Sequence, residues 1–319
     1  MKILLAGASG AIGQALIPLL IEQQHEVVGA FRNPAHADRV KSLGATPLIL
    51  DALNAQAVSK AFAEIKPQAV INQLTAIPPR IDLRHFDRDF ALTNQLRTEG
   101  TRNLTTAAAN AGVEKFIAQS FAGWPYAPKG ITLKTEEDAL DPAPPPQLKP
   151  TLDALETLEH TVLRESKFTG IILRYGPLYG PHTSIALGGN GVPEGTTIED
   201  IRNHKISLIG QGTGVWSFLH IHDAATATVA ALTQAQRGIY NIVDDDPALV
   251  SDWLPYLAEC IGAKPPMHVP NAIARIVVGE HGIALMNDIR GVSNEKAKRE
   301  LNWTPKWTSW RQGFREALS

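Results

Sequence analysis

The chain opens on the apolar run Ile3-Leu4-Leu5-Ala6, and short runs of this kind recur through its first half. Residues 2–6, 26–30, 46–50, 69–72, 115–119 and 170–174 are apolar stretches bounded by turn residues, which predicts strands. Residues 11–22, 35–43, 55–65, about 86–111 and 152–166 space their apolar side chains three and four apart, which predicts helices. Strands and helices that alternate over short loops build a parallel sheet covered on both faces. Right-handed crossovers make it doubly wound, with ligands outside the C-terminal strand ends. After residue 174 the rhythm changes. Residues 177–214 are rich in glycine and proline and read as binding loops with little regular structure. A strand at 216–221, a helix at 222–232 and a buried strand at 238–243 follow. Short helices at 251–261, 272–278 and 294–301 alternate with prolines. The proline-rich stretch from Asp141 to Pro146 reads as an extended loop inside the domain, because the sheet resumes after it.

The turn after the first strand carries the chemistry. Gly7-Ala-Ser-Gly-Ala-Ile-Gly13 stands between a buried strand and a helix. Gly7 permits the sharp turn, Gly10 lets the backbone approach a pyrophosphate, and Gly13 lets the helix pack on the strand. The unsatisfied N–H groups around Ser9, Ala11 and Ile12 point at the anion. Dinucleotide binding is therefore expected. In many such sites a carboxylate after the second strand binds the ribose 2′-OH, but residues 27–34 hold no acid. Arg32 stands there instead and suits a 2′-phosphate, so NADP is expected over NAD.

Composition narrows the partners. Thirty Lys and Arg against 32 Asp and Glu leave a net charge of −2, so no global field recruits nucleic acid or an anionic membrane. A small-molecule substrate is the expected partner, with a homodimer as the candidate assembly. The lone cysteine, Cys260, forms no internal disulfide and suits a reducing compartment. With no long apolar run, a cytoplasmic chain is expected. His220 and His222 alternate on a predicted strand and so face opposite sides, and the Asp244-Asp245-Asp246 run reads as a charged turn; no metal site is expected.

Several segments together resemble the extended short-chain dehydrogenase/reductase superfamily, in its NAD-dependent epimerase/dehydratase branch. The glycine turn is similar to the branch's TGxxGxxG. Asp51, with Ala52, resembles the acid segment that meets the adenine. Ile71-Asn72-Gln73-Leu74-Thr75-Ala76 resembles the fourth-strand segment running beside the cofactor, which implies contacts from Leu74, Thr75 and Ala76. Gly100-Thr101-Arg102-Asn103-Leu104 resembles GTxNL, and Leu173-Arg174-Tyr175-Gly176-Pro177-Leu178-Tyr179-Gly180-Pro181 resembles the strand ending in YGP, with Tyr175 beside the nicotinamide. Phe218 to Ala225 and Leu301-Asn302-Trp303-Thr304-Pro305 resemble two further family segments. The resemblance implies a Rossmann domain over residues 1–176, its sheet completed by 215–243. Residues 177–214 and 244–319 then form a smaller C-terminal substrate-binding lobe.

The family's Tyr-x-x-x-Lys pair is missing. Counting back from Glu159, the tyrosine place falls on Thr151 and the lysine place on Leu155. An aliphatic hydroxyl titrates far above a phenol, and leucine offers no charge to lower it. Arg97 replaces the family's asparagine before GTxNL, with Asn94 one turn earlier. Ser120 or Phe121 takes the catalytic-serine place, depending on the alignment. Tyr126, Tyr175, Tyr179, His220 and His222 are the alternative side-chain proton donors; Tyr126 is favoured among them because its loop leaves a strand at the ligand edge, with water as the other source of the proton. Between residues 182 and 214 only Arg202, His204 and Lys205 are further basic residues, few for a nucleotide-sugar diphosphate. The implied activity is an NAD(P)-dependent oxidoreductase or isomerase acting on a small molecule. The alternatives are a nucleotide-sugar epimerase or dehydratase with an altered acid, and a catalytically silent NADP-binding sensor.

Overall fold

The computed structural model describes residues 1–130, 133–189 and 192–318. Seven strands form one parallel sheet: β1 Lys2–Ala6, β2 Glu26–Phe31, β3 Thr46–Ile49, β4 Ala69–Asn72, β5 Lys115–Phe121, β6 Thr169–Tyr175 and β7 Gly238–Ile242. Their order is β7-β6-β5-β4-β1-β2-β3. The chain runs outward from β1 to β3, then restarts at β4 on the other side of β1. That reversal opens a crevice at the C-terminal ends of β1 and β4.

Alternation along β1 divides the core in two. Ile3 and Leu5 face one side, packed with Leu16, Ile17 and Leu20 of helix α1 (Ala11–Glu22) and with Ala224 and Ala227. Leu4 and Ala6 face the other side, toward Val58 and Phe62 of α3 (Ala55–Ile65) and Leu104 and Ala108 of α5 (Thr101–Ala111). A strand buried on both faces is uniformly apolar, which is why the runs stand out in the sequence. The intervening short helix is α2 (Ala37–Ser42), preceded by a 3₁₀ turn that Asn33 caps.

Four expectations are corrected. The helix expected over 86–111 is interrupted: α4 (Phe86–Gln95) passes through a π-helical turn, Leu96–Gly100, before α5. Both parts present one buried face, so apolar spacing continues across the break. α6 (Lys149–Arg164) starts three residues earlier than expected, because Pro150 fits the first helical turn, where its missing N–H costs nothing. The glycine- and proline-rich segment contains helix α7 (Thr196–Arg202), although its residues 190–191 lie outside the described residues. His222 is not on a strand: His220 is the N-cap of α8 (Ile221–Gln234), and its Nδ1 accepts from the His222 N–H at 3.1 Å.

The remaining chain builds a second apolar cluster. Tyr179, Phe218, Trp253, Trp310 and Phe314 are buried together there. Trp253 comes from α9 (Val250–Cys260), Trp310 and Phe314 from α12 (Trp310–Glu316), and Tyr179 and Phe218 from the segments after β6 and before α8. Helix α10 (Asn271–Asn287) breaks at Gly279, whose φ of 70° favours glycine. α11 (Glu295–Leu301) packs back on α8 and β7. α12 escapes the sequence reading because its apolar residues are few and aromatic. No helix among the described residues is long and apolar enough to cross a membrane.

Candidate functional site

The glycine turn sits at the crevice. Gly7 adopts φ 91°, and a Cβ there would lie 2.6 Å from the Gln73 carbonyl oxygen. This close approach joins the turn to the loop after β4. At Gly13 a Cβ would meet the Gly7 oxygen at 2.4 Å, so the helix start also depends on glycine. Gly10 differs. It is exposed, adopts φ −76° and ψ 170°, and a Cβ would touch only the Gly7 oxygen at 3.4 Å. No side chain caps α1, so its first-turn N–H groups stay available to an anion. An open backbone surface over an uncapped helix N-terminus suits a pyrophosphate.

The other predicted cofactor residues gather along the same edge. Arg32 is exposed just past β2. The Asp51 carboxylate accepts from the Leu53 N–H at 3.0 Å in a local turn, while Asn54 caps α3 through its bond from the Ala57 N–H. Ala52 is buried, and its carbonyl accepts from the Asn103 amide at 2.9 Å. Leu74, Thr75 and Ala76 follow β4; the Asn72 side chain holds the Leu74 N–H and the Thr93 hydroxyl holds the Ala76 N–H. Tyr175 lies beneath this loop. Its phenol takes a hydrogen bond from the Gln73 amide at 3.1 Å and shares one with Thr228 at 2.6 Å, and burial pushes its pKa up to about 12.

Ser120 and Tyr126 belong to a buried polar network, not to the open edge. Ser120 Oγ donates to Glu159 Oε1 at 2.6 Å. Arg174, which pairs with Ser120 in the β5–β6 register, donates to both oxygens of Glu159. It also donates to the Tyr126 hydroxyl at 2.8 Å, and that hydroxyl donates to Asn241 Oδ1 at 2.9 Å. Tyr126 is 2% exposed, and burial raises its pKa against the opposing pull of Arg174. Burial alone would lower the Arg174 pKa, but the Glu159 carboxylate holds it above its ordinary value.

Thr151 and Leu155 lie on α6 and are fully buried. The Thr151 hydroxyl accepts from the Asn94 amide at 3.0 Å. Phe121 is the half-buried neighbour of Ser120 and lies beside Trp124, with ring centroids 6.2 Å apart. Trp124 meets Phe86 at 6.4 Å, and Phe86 stacks on Phe90 at 4.0 Å. His281 from α10 abuts Phe86 at 4.6 Å, and burial pushes its pKa down to about 4. This aromatic group draws on three separated segments, and no local sequence signal marks it. Near the turn, Arg39 bonds to the Gln14 amide oxygen and to His182 Nε2, the latter at 2.8 Å; it is a second basic residue on the Arg32 side.

The other alternative donors are also engaged or enclosed. Buried His220 has Nε2 3.1 Å from the Ala317 carbonyl and a pKa pushed down to about 4, while the Tyr179 phenol is buried and raised by desolvation. Asp244 is buried, Asp245 meets Asn294 and Lys298, and Asp246 accepts from Ser309. Among the described residues no group of three or more His, Cys, Asp or Glu is placed to hold a metal ion. Of the basic residues after His182, Arg202 pairs with Glu194 and Lys205 with Asp200. A shallow surface hollow bounded by Met1, Lys2, Gln24 and Glu26 lies at the N-terminal end of the strands, away from the glycine turn.

Fold and turn together define a Rossmann protein of the extended short-chain dehydrogenase/reductase type. The family model described as the NAD dependent epimerase/dehydratase family matches residues 3–243, and the chain belongs to that family. It is similar to 3-diazoavenalumate denitrifying reductase from a Streptomyces species, 37% identical over 315 residues that cover 98% of this chain and 99% of the relative. UDP-glucose 4-epimerase from Thermotoga maritima, solved with UDP-glucose, superposes with a TM-score of 0.78 at 21% identity, covering 100% of this chain and 97% of that one. A human epimerase family protein solved with NADPH superposes with a TM-score of 0.75 at 18% identity, covering 100% and 99%. At such identities these two structures establish the fold alone.

Proposed function

We propose that the chain is an NADPH-dependent reductase that delivers hydride to a small aromatic acceptor without a proton donor of its own. The observation that carries this reading is the state of α6: Thr151 and Leu155 are buried and aliphatic, and the Thr151 hydroxyl is held by Asn94. Reduction of a carbonyl creates an alkoxide, whose protonation a general acid typically speeds about 10²–10⁴-fold. A diazonium carbon has no such need. It gains hydride, the carbon–nitrogen bond breaks, and dinitrogen leaves with the bond pair, so charge balances without a proton. The name of the Streptomyces relative, a denitrifying reductase of a diazo compound, supports this class of acceptor. An epimerase reading fits less well, because it would need a replacement for the missing tyrosine.

The residues divide by role. Gly7, Gly10 and Gly13, with the N–H groups of Ser9, Ala11 and Ile12, hold the pyrophosphate. Arg32 takes the 2′-phosphate, Asp51 and Ala52 border the adenine, and Leu74, Thr75 and Ala76 run along the cofactor. When bound there, the reduced nicotinamide supplies the hydride. Tyr175 positions Gln73 from below. Ser120 and Tyr126 hold the Glu159–Arg174 pair in place and do not transfer a proton.

Two expected results test this division. Arg32→Ala lowers NADPH affinity roughly ten- to hundredfold, the worth of a charge-assisted contact, and leaves NADH affinity nearly unchanged. Fluorescence titration reads both, and equal binding of the two cofactors by the unmodified protein contradicts the assignment. Thr151→Ala and Tyr126→Phe each keep turnover of 3-diazoavenalumate within about threefold, far from the 10²–10⁴-fold loss of a general acid. Tyr126→Phe nonetheless melts lower, since Arg174 and Asn241 each lose a buried partner, at a cost of about 1–3 kcal/mol. A large fall in turnover in either variant assigns proton transfer to that hydroxyl.

A further inference from the structure

Two arginines are buried in this protein's core, Arg174 at 4% exposure and Arg97 at 7%. Arg174 has the Glu159 carboxylate. Among the described residues Arg97 is in no ion pair, and its one hydrogen bond is a long one, from Nη1 to Asn94 Oδ1 at 3.4 Å. Its guanidinium otherwise lies 6.0 Å from the centroid of the Phe90 ring. A buried cation without a counter-charge is costly, and a site that takes an anion repays that cost on binding.

The position of Arg97 says which anion. Thr93, Arg97 and Thr101 are four apart and all buried. Thr93 holds the Ala76 N–H after β4, and Thr101 meets the Asn72 amide at the end of β4. Arg97 stands midway between these contacts, on the π turn Leu96–Gly100, beside the crevice edge of the sheet. Its one partner, Asn94, also holds Thr151. The cation therefore lies near the part of α6 from which the family's tyrosine is missing. The dinucleotide phosphates already have the glycine turn and Arg32. The anion left over belongs to the substrate, and the Phe90 ring beside Arg97, continued by Phe86 and Trp124, favours an aromatic one.

We propose that Arg97 binds an anionic oxygen, carboxylate or phenolate, of an aromatic substrate, with Asn94 orienting the guanidinium. This rests on the reductase reading above for the identity of the ligand as substrate.

The test uses the full chain saturated with NADP⁺ and titrated calorimetrically with 4-hydroxycinnamate, its methyl ester and 4-methoxycinnamate. The unmodified protein binds 4-hydroxycinnamate, Arg97→Met weakens it roughly ten- to hundredfold, and Arg97→Lys restores part of the loss. The blocked analogue that binds the unmodified protein and Arg97→Met equally identifies the oxygen that Arg97 holds. NADPH affinity stays unchanged, and apo Arg97→Met melts no lower than the unmodified protein, because it removes an uncompensated buried charge. The proposal is overturned if Arg97→Met binds 4-hydroxycinnamate within twofold of the unmodified protein, if the unmodified protein binds none of the three, or if the loss falls on NADPH. Arg97-dependent binding without turnover of 3-diazoavenalumate sinks the reductase reading and leaves the anion site standing.

Discussion

Gly10→Val abolishes measurable NADPH binding, a loss of at least about a hundredfold, while the protein keeps its fold. The backbone at Gly10 has φ −76°, which valine adopts without strain, and a Cβ there meets nothing closer than the Gly7 oxygen at 3.4 Å. The branched side chain therefore fits the protein and occupies the space a pyrophosphate needs above the uncapped start of α1. Valine is a poorer N-cap than glycine, worth roughly 1 kcal/mol, which lowers the melting temperature by only a few degrees. Fluorescence titration of NADPH together with a thermal melt separates the two effects. Undiminished affinity removes the basis for placing a dinucleotide at this turn. Gly13→Val is the contrasting control: its Cβ would lie 2.4 Å from the Gly7 oxygen, so it disrupts the turn itself.

Glu159→Ala destabilises the protein by about 3–5 kcal/mol, the cost of removing one member of a buried ion pair. Glu159 and Arg174 are both nearly inaccessible, and the carboxylate answers two arginine nitrogens and the Ser120 hydroxyl. Deleting it leaves a cation and a hydroxyl buried without their acceptor. Chemical denaturation of the apo protein measures the loss. Replacing Glu159 and Arg174 together with leucine and methionine recovers much of it, since the isolated charge is what costs. A change below about 1 kcal/mol for Glu159→Ala would mean that water reaches the pair.

What the sequence makes legible follows from range. The strands are visible because a strand covered on both faces is a local apolar run, and the glycine turn because three backbone requirements fall within seven residues of one another. The cofactor edge follows from topology once the strands are parallel. The polar network is not visible that way. Ser120 and Arg174 become neighbours through the β5–β6 register, and Tyr126 meets Asn241 across 115 residues of chain. Ser120 and Tyr126 look available in the sequence because nothing local reveals their partners. The π turn is hidden because Leu96, Arg97 and Gly100 continue a buried face that an α-helix would also show. Arg97 stands out as a departure from the family pattern, but its lack of a counter-charge is a property of the folded neighbourhood.

In the proposed reaction hydride from the nicotinamide completes the reduction with no proton from the protein. The direct measurement is the fate of the label when the protein is incubated with 3-diazoavenalumate and NADPH deuterated at the transferring position of C4, in ordinary water. One deuterium is expected on the carbon that lost nitrogen for each NADPH oxidised and each dinitrogen released, for the unmodified protein and for Thr151→Ala alike. Hydrogen from solvent at that carbon, or NADPH binding without any turnover, would contradict it.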